Sequence, residues 1–119
     1  MIRGVRCAIT VKRNNEEEIV EAAERLLREA IIANNITPNN VASIFISATD
    51  DINAAFPAKA LRNIEGWAYV PVMCMKELMV SDSLQMCIRF MIHINTELAQ
   101  EDIKHIYLEG ARQLRPDLN

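Results

Sequence analysis

An α+β fold, a five-stranded sheet packed on one long amphipathic helix with short helices beside it, is what this sequence predicts. Three observations carry that expectation. Between Ile19 and Ile31 apolar residues recur at helical spacing, and no other stretch shows a comparable run. Five further short stretches are apolar, rich in β-branched residues and bounded by polar or turn-forming residues, the signature of strands. The chain has 119 residues, is 50% hydrophobic and 24% charged, and suits a single domain spanning 1–119.

The first strand is expected over Ile2 to Val11. Asn15, followed by Glu18, fits an N-cap with its capping-box partner, and Glu16 to Glu18 place negative charge where a helix N-terminus favours it. Ile19, Val20, Ala23, Leu26, Leu27, Ala30 and Ile31 then form one stripe, with Arg25, Arg28 and Glu29 on the other side. Asn34-Asn35 supplies the stop, because Asn tolerates the left-handed conformation that ends helices. Thr37-Pro38 resembles a capped single turn. A second strand is expected over Val41 to Thr49, ended by Asp50-Asp51, then a short helix over Pro57 to Asn63 and a turn at Glu65-Gly66.

Trp67 to Met75 reads as a third strand, and Pro71 within it argues for a sheet edge or a bulge. Ser81-Asp82-Ser83 is a loop. The clearest strand is Met86 to Asn95. Ile88, Phe90, Ile92 and Ile94 face one way, towards the long helix, while Cys87, Arg89, Met91, His93 and Asn95 face the other. A helical turn over Glu101 to His105, a last strand over Ile106 to Glu109 and a tail from Arg112 to Asn119 complete the chain. One long helix covers one face of such a sheet. With no second long helix for the other face, self-association is the natural cover.

A formal charge of −3 and a pI near 5.4 give no nucleic-acid footprint. The three cysteines, Cys7, Cys74 and Cys87, form no C-x-x-C, and with His93 and His105 they have no zinc-site spacing, so free thiols in a reducing cytoplasm are expected. Met1 to Arg6 lacks the apolar core of a signal peptide, and no apolar run approaches the roughly 20 residues that span a bilayer. The expectation is a soluble, cytoplasmic protein without membrane or metal partners.

Arg89 is the sharpest oddity, a guanidinium in mid-strand among apolar neighbours, where it needs an anion. An ion pair across the sheet or a subunit contact would satisfy it. Arg6 in the first strand poses the same question. Two strand arginines aimed at one cavity would suit a small polycarboxylate, since Arg grips carboxylates bidentately. Lys59 with Arg62, and Arg112 with Arg115, add positive charge or are simply solvated. Glu77 suits a surface turn, Cys74 and Tyr107 suit core positions, and the methionines suit gap-filling. The sequence carries no Gly-rich phosphate loop, Ser/His/Asp arrangement or metal-ligand cluster, so an enzyme built from it should work by positioning and electrostatics.

Several segments together carry a resemblance. They are Arg3-Gly4-Val5-Arg6, Phe56 to Arg62, Gly66 to Val72 with Cys74 and Glu77, Cys87-Ile88-Arg89, Ile106-Tyr107-Leu108, and Leu114 to Leu118. In order and spacing they resemble the small trimeric, non-helical chorismate mutases, isomerases that rearrange chorismate to prephenate in phenylalanine and tyrosine biosynthesis. The resemblance implies a mixed, mostly antiparallel sheet, a homotrimer forming a pseudo-α/β barrel, clefts between subunits, and no cofactor. It implies that Arg89 reaches the ether oxygen and a carboxylate and that Arg6 binds a carboxylate. Glu77, with the Cys74 thiol beside it, would hold the ring hydroxyl, and Tyr107 would donate to the side-chain carboxylate. Phe56, Ala58, Lys59 and Arg62 would come from the adjacent subunit, and Leu114 and Arg115 would help close the mouth.

The chain departs from that pattern at Met73, where the family usually has a threonine that contacts the substrate hydroxyl region, at Cys7 in place of glycine, and in the 81–83 loop. Two other readings compete: the enamine/imine deaminases of related trimeric architecture, whose motifs are not found here, and a non-catalytic trimeric module for a small dicarboxylate. The joint presence of Arg6, Glu77, Arg89 and Tyr107 favours the mutase.

Overall fold

The computed structural model describes residues 1–118. Five strands, β1 (Ile2–Thr10), β2 (Val41–Ala48), β3 (Val72–Lys76), β4 (Cys87–Asn95) and β5 (Ile106–Leu108), form one sheet in the order β3-β2-β4-β1-β5. β4 pairs antiparallel with both β1 and β2, and these are the longest ladders; the outer pairings, β2 with β3 and β1 with β5, are parallel. The helix α1 (Glu16–Asn34) crosses one face.

The start and stop of α1 follow from its terminal residues. The Asn15 side chain accepts a hydrogen bond from the Glu18 N–H at 2.8 Å. Glu18 does not return the bond to Asn15 as a capping box would: its Oε1 accepts from the Lys12 and Arg13 N–H groups instead, fastening the preceding loop. Asn35 ends the helix at φ 52, ψ 49. Asn34, expected only as part of that stop, is buried. Its Nδ2 donates to the carbonyls of Ala30 and Lys104, and its Oδ1 accepts from the Lys104 N–H.

The core lies between α1 and the sheet. Ile19, Ala23, Leu26, Leu27 and Ala30 meet Val5, Ile9, Ile44, Ile46, Ile88, Ile92 and Ile94, all essentially inaccessible to solvent. The alternation expected in β4 is therefore present, and its apolar set faces the helix.

Three expected elements differ. Trp67 to Val70 turns instead of pairing, so β3 begins at Val72; Trp67 and Val70 are apolar because they bury under the Pro57–Asn63 segment, not because they join the ladder. That segment is a 3-10 helix. The expected tail is likewise ordered as 3-10 turns over Glu109–Leu114 and Pro116–Leu118, while Asn119 lies outside the described residues. Pro71 precedes an edge strand, as its missing N–H requires.

Candidate active site

The sheet face opposite α1 is covered by no element of the described chain except at its β5 end, where Ala8, Cys87, Tyr107 and Ala111 make a small second cluster with Leu84 and Leu114 packed on it. Period-two alternation delivers to this face Arg6 and Ala8 from β1, Phe45 and Ser47 from β2, Met75 from β3 and Arg89 and Met91 from β4. They line a cavity of about 230 Å3, together with Glu77 just past β3 and Tyr107 of β5.

Arg6, Glu77, Arg89 and Tyr107 thus converge from four elements that are far apart in sequence. Arg89 Nε donates to Glu77 Oε2 at 2.9 Å, and the Ser47 hydroxyl donates to the same oxygen at 3.1 Å. The Glu77 N–H donates to the Ala48 carbonyl, which fixes the carboxylate beyond the strand end. Arg89 therefore has an anionic partner, yet its side chain remains 46% exposed. A pair this open is worth little to stability, about 0.2–1 kcal/mol. Its geometric effect is greater: it fixes the plane of the guanidinium at the cavity. The Arg6 N–H donates to His105 Nδ1 at 2.9 Å.

The remaining expected residues lie elsewhere. Cys74 is not beside Glu77. It points to the helix side of the sheet with Val72 and Lys76, because positions an odd number apart on a strand face opposite ways. Its thiol lines a separate cavity with Phe56 and Lys59, next to the Ala58 backbone, and burial raises its pKa. Phe56, Ala58, Lys59 and Arg62 line a further groove on that side, and Lys59 Nζ is held by Glu16 Oε2 at 2.6 Å. In a single chain these four do not reach the cavity of Arg6 and Arg89. Met73 shares a sheet face with Met75 but stands outside the cavity lining, 59% exposed. Leu114 packs near Tyr107, and Arg115 is bidentate to Asp117.

Sequence reasoning missed Ser47, Phe45, Met75 and Met91. Their signal was parity: once β2 and β4 pair antiparallel, Ser47 sits opposite Arg89. It also missed His105, for which period and spacing gave no sign.

No group of three or more His, Cys, Asp or Glu side chains able to hold a metal occurs among the described residues. No helix among them is long and apolar enough to cross a membrane.

An α+β sheet that presents two guanidinium groups, one carboxylate and one phenol in an open cavity suits a protein that holds a small anion by position and charge. Comparison with known proteins makes the class specific. The family profile described as chorismate mutase type I matches residues 2–118. Chorismate mutase AroH of Bacillus subtilis (strain 168) is 48% identical over 119 residues, covering 100% of this chain and 94% of that protein. Chorismate mutase AroH of Thermus thermophilus is 40% identical, covering 99% of this chain and 97% of its own. The solved chorismate mutase from Clostridium thermocellum superposes with a TM-score of 0.89 at 44% identity, covering 92% of this chain and 97% of that one. The chain belongs to the type I chorismate mutases, and it is an isomerase.

Proposed function

We propose that the Arg6–Arg89 cavity binds chorismate and promotes its rearrangement to prephenate, and that a second subunit of a homotrimer completes it. The observation that carries this reading is the convergence of Arg6, Glu77, Arg89 and Tyr107 on a sheet face that the described residues leave open. As the C–O bond breaks ahead of C–C bond formation, negative charge grows on the ether oxygen. A guanidinium fixed by Glu77 and aimed at that oxygen stabilises charge present mainly in the transition state. Arg6 and Tyr107 take the carboxylates and hold the substrate in a compact, chair-like geometry, and Glu77 accepts the ring hydroxyl. No step requires a proton donor or acceptor, and no cofactor is needed.

Phe56, Ala58, Lys59 and Arg62 stand away from their own chain's cavity and are suited to enter a neighbour's, with Cys74 on their side. Leu114 and Arg115, near Tyr107, would help close the mouth, and Met73 would offer a thioether where a hydroxyl would donate. Phe45, Met73 and Met75 expose 37%, 59% and 48% of their surface on the open face, apolar area that a second and third copy would cover. Three free thiols, two of them buried, suit the cytoplasm.

The test follows chorismate by its ultraviolet absorbance, identifies the product after acid conversion to phenylpyruvate, and measures mass by sedimentation. Turnover by a trimer, abolished in Arg89→Ala, is the expected outcome. A folded trimer that binds but does not convert chorismate would instead indicate a dicarboxylate-binding module, and a fully active monomer would defeat the shared cleft.

A further inference from the structure

His105 precedes β5 and touches the cavity only through the backbone of Arg6. In the register of the parallel pair, Cys7 lies opposite Ile106, so the ladder ends one residue short of Arg6. The next rung is made by a side chain: the Arg6 N–H donates to His105 Nδ1 at 2.9 Å. A backbone N–H can only donate, so Nδ1 carries a lone pair and the ring is neutral with its proton on Nε2. The imidazole is itself anchored. Asn34, buried at the end of α1, grips both the N–H and the carbonyl of Lys104, the adjacent residue. A chain of contacts therefore runs from the helix C-terminus through Lys104 and His105 to the backbone of Arg6.

We propose that His105 is a positioning residue for the carboxylate-binding arginine: by accepting from the Arg6 N–H it sets the height of residue 6 on the sheet and so the aim of its guanidinium. The proposal rests on the reading of Arg6 as a substrate-binding group. The charged groups facing the ring are Arg6 on β1 and Arg115 in the C-terminal turns, the latter bonded to Asp117. Burial first, and then these two cations, hold the imidazole below its ordinary pKa of 6.5. The sign follows: the folded site binds fewer protons than the unfolded chain, so the bond's contribution is complete above pH 6.5 and is lost as pH falls through the folded value.

The experiment compares chorismate kinetics and Arg6 amide exchange in the wild type, His105→Ala and His105→Asn, whose Oδ1 can occupy the place of Nδ1. Because Arg6 grips ground and transition states alike, His105→Ala should raise KM about tenfold with kcat within about twofold. Arg6 amide exchange should quicken by about tenfold or more in that variant. His105→Asn should restore KM to within about threefold and keep the amide protected. Between about pH 7.5 and 5 the wild-type KM should rise while that of His105→Asn stays level. A KM unchanged in a folded His105→Ala overturns the proposal, as does an Asn variant as impaired as Ala. Should Ala not fold, the Asn variant decides: a KM that climbs with acid as steeply as the wild type's overturns it. Complete absence of wild-type turnover, with the Arg6 amide still protected, defeats the proposed function and not the hydrogen bond.

Discussion

The two faces of the sheet are built from the same strands and obey different constraints. In β4, Ile88, Phe90, Ile92 and Ile94 are closed against α1, whereas Arg89 is exposed and Met91 and His93 are half-buried. The helix-side set is uniformly apolar, three isoleucines and a phenylalanine, since what it must do is fill volume. The open-side set mixes charge, sulfur and aromatic groups, and its charged and ring-bearing members have particular partners: Arg89 with Glu77, His93 with Ser43 and edge-on to Phe45. Stability is concentrated on one face and chemistry on the other. A strand can serve both because successive side chains never share a side.

The comparison breaks most visibly at Ile92. Truncating it to Ala opens a cavity under α1 and should cost about 2–5 kcal/mol of unfolding free energy, read by urea titration, while the folded fraction keeps its kcat. If kcat falls in proportion, the two faces are not separable. Arg89→Lys is the mirror experiment: kcat should drop about 10²–10³-fold, roughly 3–4 kcal/mol, because a point charge replaces the planar fork. The urea midpoint should scarcely move, since the Arg89–Glu77 pair is half open to solvent. Near-normal turnover by that variant would remove Arg89 from its assigned role.

Smaller effects sharpen the contrast. Asn15→Ala removes the N-cap of α1, whose apolar stripe packs the closed face, so it should cost about 1 kcal/mol with unchanged kcat. Thiol reactivity should also divide by position. Burial pushes Cys7 up to about 12, so at neutral pH an aromatic disulfide reagent should modify the exposed Cys74 first and leave Cys7 untouched until the protein unfolds. The smallest expected effect is none: kcat should stay level from about pH 6.5 to 9, because nothing in the rearrangement transfers a proton. A bell centred near neutrality would reassign the chemistry.

Legibility in the sequence followed the same division. α1 and β4 were visible because burial on one side imposes a period, and a period survives in one dimension. Arg6 and Arg89 were visible as charges where the pattern called for apolar residues. Misreadings arose where hydrophobicity had another cause. Trp67 and Val70 bury with Ala60 and Leu61 of the 3-10 helix, so their apolar character falsely lengthened β3. The resemblance set Cys74 beside Glu77; within one chain the pleat puts them on opposite sides of the sheet. His105 and Ser47 stayed invisible because their partners, Arg6 and Glu77, are brought to them only by strand order. The family resemblance named the cavity residues that single-chain physics could only suspect, and the proposed trimer is what would bring Phe56, Lys59 and Arg62 to them.

The sheet's outer margins carry a consequence of their own. β5 is three residues long, and Glu109 at φ 54 turns the chain away at once, with the Gly110 N–H tied back to Thr10. β3 is five residues long, follows a proline and ends at Lys76. Neither border offers the long, flat, unpaired template on which strands from other molecules stack without limit. A crowded solution of this protein therefore has little opportunity to extend sideways into fibres. The proposed trimer would use the broad face instead, where a rotation that closes on itself yields a particle of fixed size.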